Sequence, residues 1–100
     1  MTPVHSALDK LKSLEPLLRK DGVSALYVFG SYARGEATEA SDVDLLFDIQ
    51  AGFRFSLFDQ ARISRQLSEF LEVKVDFVPR RALHPVIKDQ VEAEKVTVFN

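Results

Sequence analysis

The chain has 100 residues, of which 46% are hydrophobic and 28% are charged. This length fits one folded domain, residues 1–100, and the composition is that of a globular protein rather than a disordered one. A net charge of −2 argues against a nucleic-acid partner, and the absence of a signal peptide or a long apolar run predicts a cytoplasmic protein that is not bound to a membrane.

The first predicted element is an amphipathic helix. Apolar residues recur at three- and four-residue steps from Val4 to Leu18, and Asp21-Gly22 is expected to end the helix because glycine readily adopts the left-handed conformation. A β-branched and aromatic run from Ala25 to Phe29 then predicts a buried strand that stops at Gly30. A short helix is expected to begin near Ser31.

The second predicted strand has two chemically different faces. In the strand Val43 to Ile49, alternate side chains point to opposite sides of the sheet. The hydrophobic residues at every second position therefore share one face, whereas Asp42, Asp44 and Asp48 share the other. This pattern predicts one apolar and one acidic face.

A second amphipathic helix is predicted over residues 55–71, with Leu57 and Leu67 on its apolar face. A third strand, Val73 to Val78, follows it and repeats the two-faced pattern, with Asp76 on the polar side. If both strands pack their apolar faces against the same helices, Asp76 emerges on the same side of the sheet as the acidic residues of the second strand.

The end of the chain predicts a helix from His84-Pro85 to about Ala93, because proline is tolerated in a first turn, and then an edge strand from Val96 to Phe99. The remaining polar and aromatic residues are assigned ordinary structural roles. We interpret Asp48, Lys74, Glu69 and Glu72 as surface charges, Arg80-Arg81 as a solvated pair, His5 and His84 as structural, and Phe53, Phe55 and Phe58 as core residues.

Three carboxylates, those of Asp42, Asp44 and Asp76, are thus expected to converge on one face of the sheet. Like charges at close range repel unless a cation lies among them. The chain has no cysteine, and ligation by oxygen alone favours a hard ion such as Mg²⁺. Two such ions can stabilise the attacking and leaving oxygens of an in-line phosphoryl displacement.

A phosphate site is predicted at Gly30-Ser31, where the first strand meets the expected helix. Glycine permits close approach of the backbone to a phosphate, and a helix start offers free N–H groups. Arg34, one turn into that helix, could add a charged donor. We therefore expect a nucleoside triphosphate to bind here.

The segment GSYARGEATEASDVDLLFDI contains Gly-Ser, ten further residues and Asp-x-Asp, and so resembles the minimal nucleotidyltransferases of the polymerase-β superfamily. The resemblance implies an α/β fold with a mixed sheet of about three to four strands flanked by helices. It implies ATP as substrate and two Mg²⁺ ions bound by Asp42 and Asp44. It also implies that Asp76 binds the catalytic ion and helps to deprotonate the acceptor, and that Gly30 and Ser31 hold the triphosphate.

Members of this family with a similar length are often paired with a HEPN-domain toxin. The resemblance therefore implies an antitoxin that transfers AMP from ATP to a hydroxyl, that of a tyrosine, on a HEPN partner. One alternative is a non-catalytic module that masks the HEPN partner sterically. A second, transfer to RNA or a small molecule, is disfavoured by the acidic charge and by the lack of an acceptor-binding domain. The sequence leaves the oligomeric state open.

Overall fold

The computed structural model describes residues 3–38 and 41–100, with side chains described from Ala7 onward, so the structural role predicted for His5 lies outside it. The described residues form one sheet of four strands in the order β3-β2-β1-β4, in which only the β2–β3 pair is parallel. The predicted mixed sheet with flanking helices is confirmed. The elements are α1 (Pro3–Lys12), α2 (Glu15–Lys20), β1 (Val23–Phe29), β2 (Val43–Ile49), α3 (Leu57–Leu71), β3 (Val75–Pro79), a 3-10 turn (Arg80–Ala82), α4 (Pro85–Glu94) and β4 (Val96–Phe99).

The first helix is broken in two, which the sequence analysis did not predict. Helix α1 ends at Lys12, and α2 begins at Glu15 with a proline in its first turn. Pro16 has no N–H to donate to the carbonyl of Lys12, and its ring would clash with that carbonyl in a continuous helix. The apolar repeat crosses the break because both helices pack on the same core, in which Leu11 and Leu18 are buried.

The sheet separates two layers of apolar side chains. One face of β2 contributes Val43, Leu45 and Phe47 to the main core beneath α1, α2 and α3. The opposite face contributes Leu46 to a smaller cluster that includes Val91 of α4. The predicted alternation along β2 is confirmed, and the polar face of the strand is the one that α4 covers in part.

Helix α3 begins two residues later than predicted, at a capping box. The Ser56 side chain accepts a hydrogen bond from the backbone N–H of Asp59, whose carboxylate accepts one from the backbone N–H of Ser56. Its buried residues, Ile63 and Leu67, start beyond the first turn.

The predicted burial of side chains around the start of α3 is only partly correct. Leu57 is 82% exposed and Phe58 is 88% exposed, because the first turn of α3 precedes the part of the helix that packs on the sheet. Phe53 is also largely exposed. Phe55 does pack against the core, with its ring centroid 5.2 Å from that of Phe47.

Side chains of α3 hydrogen bond to the outer edge of β3. The Ser68 hydroxyl accepts from the backbone N–H of Val75 at 3.0 Å, and the Ser64 hydroxyl donates to the carbonyl of Val75 at 3.3 Å. Gln60 donates to the carbonyl of Phe77 at 3.0 Å. These bonds satisfy backbone groups that an edge strand otherwise leaves open, and they fix the segment that carries Asp76.

Arg80 anchors α4 to the sheet and is not the solvated residue that the sequence predicted. Its Nε lies 3.1 Å from Asp48 on β2 and 3.7 Å from Glu92 on α4, and its guanidinium lies 4.7 Å from the centre of the Tyr27 ring. Asp48 is therefore an ion-pair partner rather than a plain surface charge. The chain reverses just before α4, which brings Arg80 back over β2.

The start of α4 agrees with the prediction, because His84 caps it structurally by accepting a hydrogen bond from the backbone N–H of Val86 at 3.1 Å. Strand β4 is also where it was predicted. None of the helices in residues 3–38 and 41–100 is long and apolar enough to span a membrane.

Replacing Arg80 by alanine should lower the free energy of unfolding by about 1–2 kcal/mol, because Asp48 loses its cation and Glu92 keeps only Lys95, which removes the link between β2 and α4. The neighbouring substitution Arg81→Ala is the control, since Arg81 is exposed and makes no described ion pair. Urea unfolding of both variants measures the difference. Equal stabilities for the two variants would contradict the anchoring role of Arg80.

Candidate active site

The end of β1 and the starts of β2 and β3 meet at one end of the sheet. In the β1–β2 register Asp44 lies opposite Phe29, the residue before Gly30. In the parallel β2–β3 register Asp44 lies opposite Asp76. Because paired residues point to the same face of a sheet, the two carboxylates lie side by side.

The Asp44 carboxyl group has a raised pKa. Partial burial raises the pKa of Asp44 from 3.8 to about 6, helped by a hydrogen bond with Asp76 and by the negative charges of Asp76 and Asp42, while Arg34 opposes the shift. A hydrogen bond between two carboxyl groups requires that one of them be protonated. Asp44 therefore holds its proton more tightly than an exposed aspartate does, and a nearby cation would favour its ionised form.

Asp42 lies beside this pair without joining it. Its carboxylate, 43% exposed, is 3.9 Å from the ammonium of Lys74, which precedes β3. Lys74 was interpreted as a plain surface charge, and the structure places it at the rim of the site. Within residues 3–38 and 41–100, no three His, Cys, Asp or Glu side chains are close enough together to form a ready-made set of metal ligands.

The donor set nevertheless fits a hard divalent cation. All three predicted ligands are carboxylates, two of them lie side by side, and the pKa of Asp44 is raised first by burial and then by its acidic neighbours. Rotation of the exposed Asp42 side chain away from Lys74 would complete the set. The roles of Asp42, Asp44 and Asp76 as metal ligands stay predictions.

The Gly30 turn differs from the helix that was predicted. Residues 30–35 form a single turn, closed by a hydrogen bond from the Arg34 N–H to the Gly30 carbonyl at 3.1 Å. The turn ends at Gly35, whose φ of +73° takes the backbone out of the right-handed helical region. The phosphate site predicted at Gly30-Ser31 therefore has turn N–H groups but no helix dipole.

Gly30 has a structural reason to be glycine that the sequence analysis missed. Its φ is +73°, and a Cβ at this position would overlap the Asp44 carboxylate. The sequence analysis had assigned the glycine to the approach of a phosphate. The structure adds that Gly30 makes room for the Asp44 side chain itself.

An open cleft of about 360 Å³ lies beside Asp44. Gly30, Ser31 and Arg34 line it, so the structure brings the predicted phosphate-binding residues together around one opening. Arg34 is ion-paired in this cleft, with its Nε 3.2 Å from Glu36 and its Nη1 3.3 Å from Glu94. The sequence analysis missed the wall formed by α4, for which no motif or spacing gave a signal. That wall consists of Ile87, Gln90, Val91 and Glu94.

Paired acidic residues at the start of neighbouring strands, next to a glycine turn and an open cleft, define an enzyme of the nucleotidyltransferase class. A family model described as a nucleotidyltransferase domain matches residues 7–98, and the chain belongs to this family. The predicted relation to the minimal nucleotidyltransferases is confirmed, as is the enzyme class.

Relatives cover most of the chain. A Methanocaldococcus jannaschii protein whose name assigns it provisionally to the protein adenylyltransferases is 39% identical over 88% of this chain and 92% of its own length. The protein adenylyltransferase MntA of Thermococcus cleftensis is 35% identical over 91% of this chain and 95% of its own length.

Solved structures agree on the fold. One described provisionally as a minimal nucleotidyltransferase superposes with a TM-score of 0.79 at 36% identity, over 93% of both chains. A structure of a tri-AMPylated Shewanella oneidensis HEPN toxin in complex with its MNT antitoxin gives a TM-score of 0.69 at 19% identity, over 97% of this chain and 72% of that chain. At this identity the second match shows the shared fold alone.

Two alanine substitutions separate the functions of glycine at the turn. Gly35→Ala introduces only backbone strain, because φ is positive and no atom lies near the new Cβ. Gly30→Ala adds an overlap with Asp44 to the same strain. We expect Gly35→Ala to cost about 1 kcal/mol of unfolding free energy and Gly30→Ala at least about 1 kcal/mol more. Urea unfolding measures both, and equal costs would show that Asp44 does not occupy the space beside Gly30.

The raised pKa of Asp44 also predicts how stability depends on pH. Folded protein binds this proton more tightly than the unfolded chain does, so the contribution is fully present below pH 3.8 and is lost as the pH rises through about 6. In metal-free buffer, Asp44→Asn should therefore stabilise the protein more at pH 7 than at pH 4. Thermal melts of both proteins across this range test the prediction, and a constant difference between them would contradict it.

Proposed function

We propose that this chain transfers AMP from ATP to a tyrosine hydroxyl of a partner HEPN toxin and acts as its antitoxin. The observation that carries the proposal is the Asp44–Asp76 pair, which the β2–β3 register holds side by side, with Asp44 lining the cleft at Gly30. The relatives are named protein adenylyltransferases, which supports a protein as the acceptor. The Shewanella complex, in which the MNT antitoxin is bound to a tri-AMPylated HEPN toxin, supports the kind of partner.

The proposed cofactor is Mg²⁺, with two ions held by Asp42, Asp44 and Asp76. When bound, these ions would neutralise charge on the phosphates and stabilise both the attacking and the leaving oxygen. The residues of the chain would contribute carboxylate oxygens only, which suits an ion that keeps several positions for water and substrate phosphates.

The chain itself would bind and orient the substrates. The Ser31 hydroxyl and the N–H groups of the turn would donate to the triphosphate, and Arg34 would add a charged donor. The acceptor oxygen would attack the α-phosphorus and form a new P–O bond, while the bond from that phosphorus to the α–β bridging oxygen breaks. Pyrophosphate would leave with the electron pair of that bond.

Asp76 is suited to receive the proton of the acceptor hydroxyl. It is the more exposed member of the carboxylate pair and lies on the edge strand β3, where an incoming protein can reach it. The described residues contain no separate lobe above the cleft, so the partner would supply both the hydroxyl and the surface that orients it. An acceptor carried by another protein fits this open site.

Labelling tests the activity. Where the neighbouring gene encodes a HEPN protein, mixing that protein with the purified chain, Mg²⁺ and ATP labelled in the α-phosphate should give a labelled HEPN protein. Asp44→Asn and Asp76→Asn should each lower the rate at least about a hundredfold, because phosphoryl transfer depends on positioned charge. Asp9→Asn, which removes a carboxylate from the exposed surface of α1, is the matched control and should leave the rate unchanged.

Binding of the HEPN protein should persist in both site variants, which separates loss of chemistry from loss of the complex. Unchanged labelling by Asp44→Asn or Asp76→Asn would overturn the site assignment. A wild-type complex that forms and suppresses the toxin without any labelling would instead support the non-catalytic masking module. Label appearing in RNA rather than in protein would identify a different acceptor.

A further inference from the structure

Two carboxylates from different parts of the chain bind the Arg34 guanidinium. Glu36, the residue just after the turn, contacts the Arg34 Nε at 3.2 Å. Glu94, on the last turn of α4, contacts its Nη1 at 3.3 Å. Only the second contact spans the cleft, and Gln90 supports it by donating to the other carboxylate oxygen of Glu94 at 3.5 Å.

This arrangement neutralises the cation of the cleft. Among the described residues that line the cleft, Arg34 is the one cationic side chain, and Asp44 and Glu94 are acidic. The hydrogen bond that Arg34 donates to Glu94 is the largest cause of the raised pKa of Arg34; desolvation opposes the shift, and the charge of Glu36 adds to it. A triphosphate that enters the cleft would therefore meet a paired arginine and a carboxylate rather than a free arginine.

We propose that Glu94 sets nucleotide selectivity by competing with the triphosphate for Arg34. The competition requires a phosphate group to displace the Glu94 carboxylate before Arg34 can bind it. This proposal rests on the proposed function, because it takes the cleft as the triphosphate site. Glu94 acts through Arg34 and is a positioning residue, not a catalytic one.

The charge of the ligand determines how strongly Glu94 opposes binding. A triphosphate without a divalent cation carries more negative charge than its Mg²⁺ complex and depends more on Arg34 to balance that charge, so competition by Glu94 for Arg34 weakens its binding more. Glu94 should therefore reject free polyanions, such as metal-free nucleotide, more strongly than the metal complex. The outcome is selection of the form of the nucleotide that is competent for transfer.

Calorimetric titration with ATP, with and without Mg²⁺, tests the proposal on the full chain without a partner. Glu94→Gln should tighten binding of metal-free ATP by about fivefold and binding of Mg²⁺-ATP by less, since an exposed ion pair is worth up to about 1 kcal/mol. Asp89→Asn is the matched control, because it removes the same charge from an exposed position of α4 that does not line the cleft. Its affinity should stay within about twofold of the wild type.

A double substitution shows whether the effect passes through Arg34. In an Arg34→Gln background, Glu94→Gln should no longer tighten binding, since no cation remains for which Glu94 competes. With Arg34 present, the NMR signal of the Arg34 Nη1 group, which contacts Glu94, should shift on Glu94→Gln and shift again when ATP is added. If Glu94 had a merely structural role, adding ATP would not shift the Arg34 signal.

The outcomes separate the two proposals. If the wild type binds Mg²⁺-ATP and the Glu94→Gln variant binds metal-free ATP no more tightly than the wild type does, the competition is overturned and the proposed function stays intact. An equal gain with and without Mg²⁺, or a gain that survives in the Arg34→Gln background, would also overturn it. Failure of the wild type to bind ATP at all would overturn the proposed function and this proposal together.

Discussion

The side-by-side placement of Asp44 and Asp76 is the constraint on which the rest of the site depends. The β2–β3 register places the two carboxylates side by side, and burial of the opposite face of both strands prevents the register from slipping. Hydrogen bonds from α3 to the outer edge of β3 hold the second member of the pair in place. Packing therefore holds two acidic side chains close together, at a cost in stability. Such an arrangement is typical of a functional site.

Helix α4 connects this site to the opposite end of the same sheet face. Arg80 pairs with Glu92 on the last turn of the helix, and Lys95, just after the helix, contacts the same carboxylate at 2.6 Å. Glu94, only two residues beyond Glu92, reaches the cleft and Arg34 instead. The ion pairs that hold α4 on the sheet thereby fix the position from which Glu94 can act on Arg34. Stability of the helix and the electrostatics of the cleft are properties of one short segment.

Much of the fold and the acidic part of the site could be predicted because they follow from local periodicity. The alternation along β2 identified both the buried face and Asp44, whereas the turn after Gly30 was wrongly predicted as a short helix. The division of the first helix at Pro16 was missed because the apolar repeat continues across the break, although a proline inside such a repeat is itself a signal for one. The sequence could not show that Arg34 is paired with Glu94, because that contact joins residues 60 positions apart and depends on how α4 packs. Exposure of Leu57 and Phe58 was missed for a related reason, since periodicity does not show where a helix leaves the sheet.

Gly30 illustrates why the parts of this site cannot all be tested one residue at a time. The sequence explains the glycine by the approach of a phosphate, whereas the structure shows that a side chain there would overlap Asp44. Any larger residue therefore disturbs a proposed metal ligand and a proposed phosphate site together, and a loss of nucleotide binding would not say which one failed. Ser31 does not have this ambiguity, because its hydroxyl can be removed without adding volume or changing the turn. The contribution of the turn to phosphate binding therefore has to be measured with variants of Ser31. Variants of Gly30 measure how the turn positions the Asp44 carboxylate.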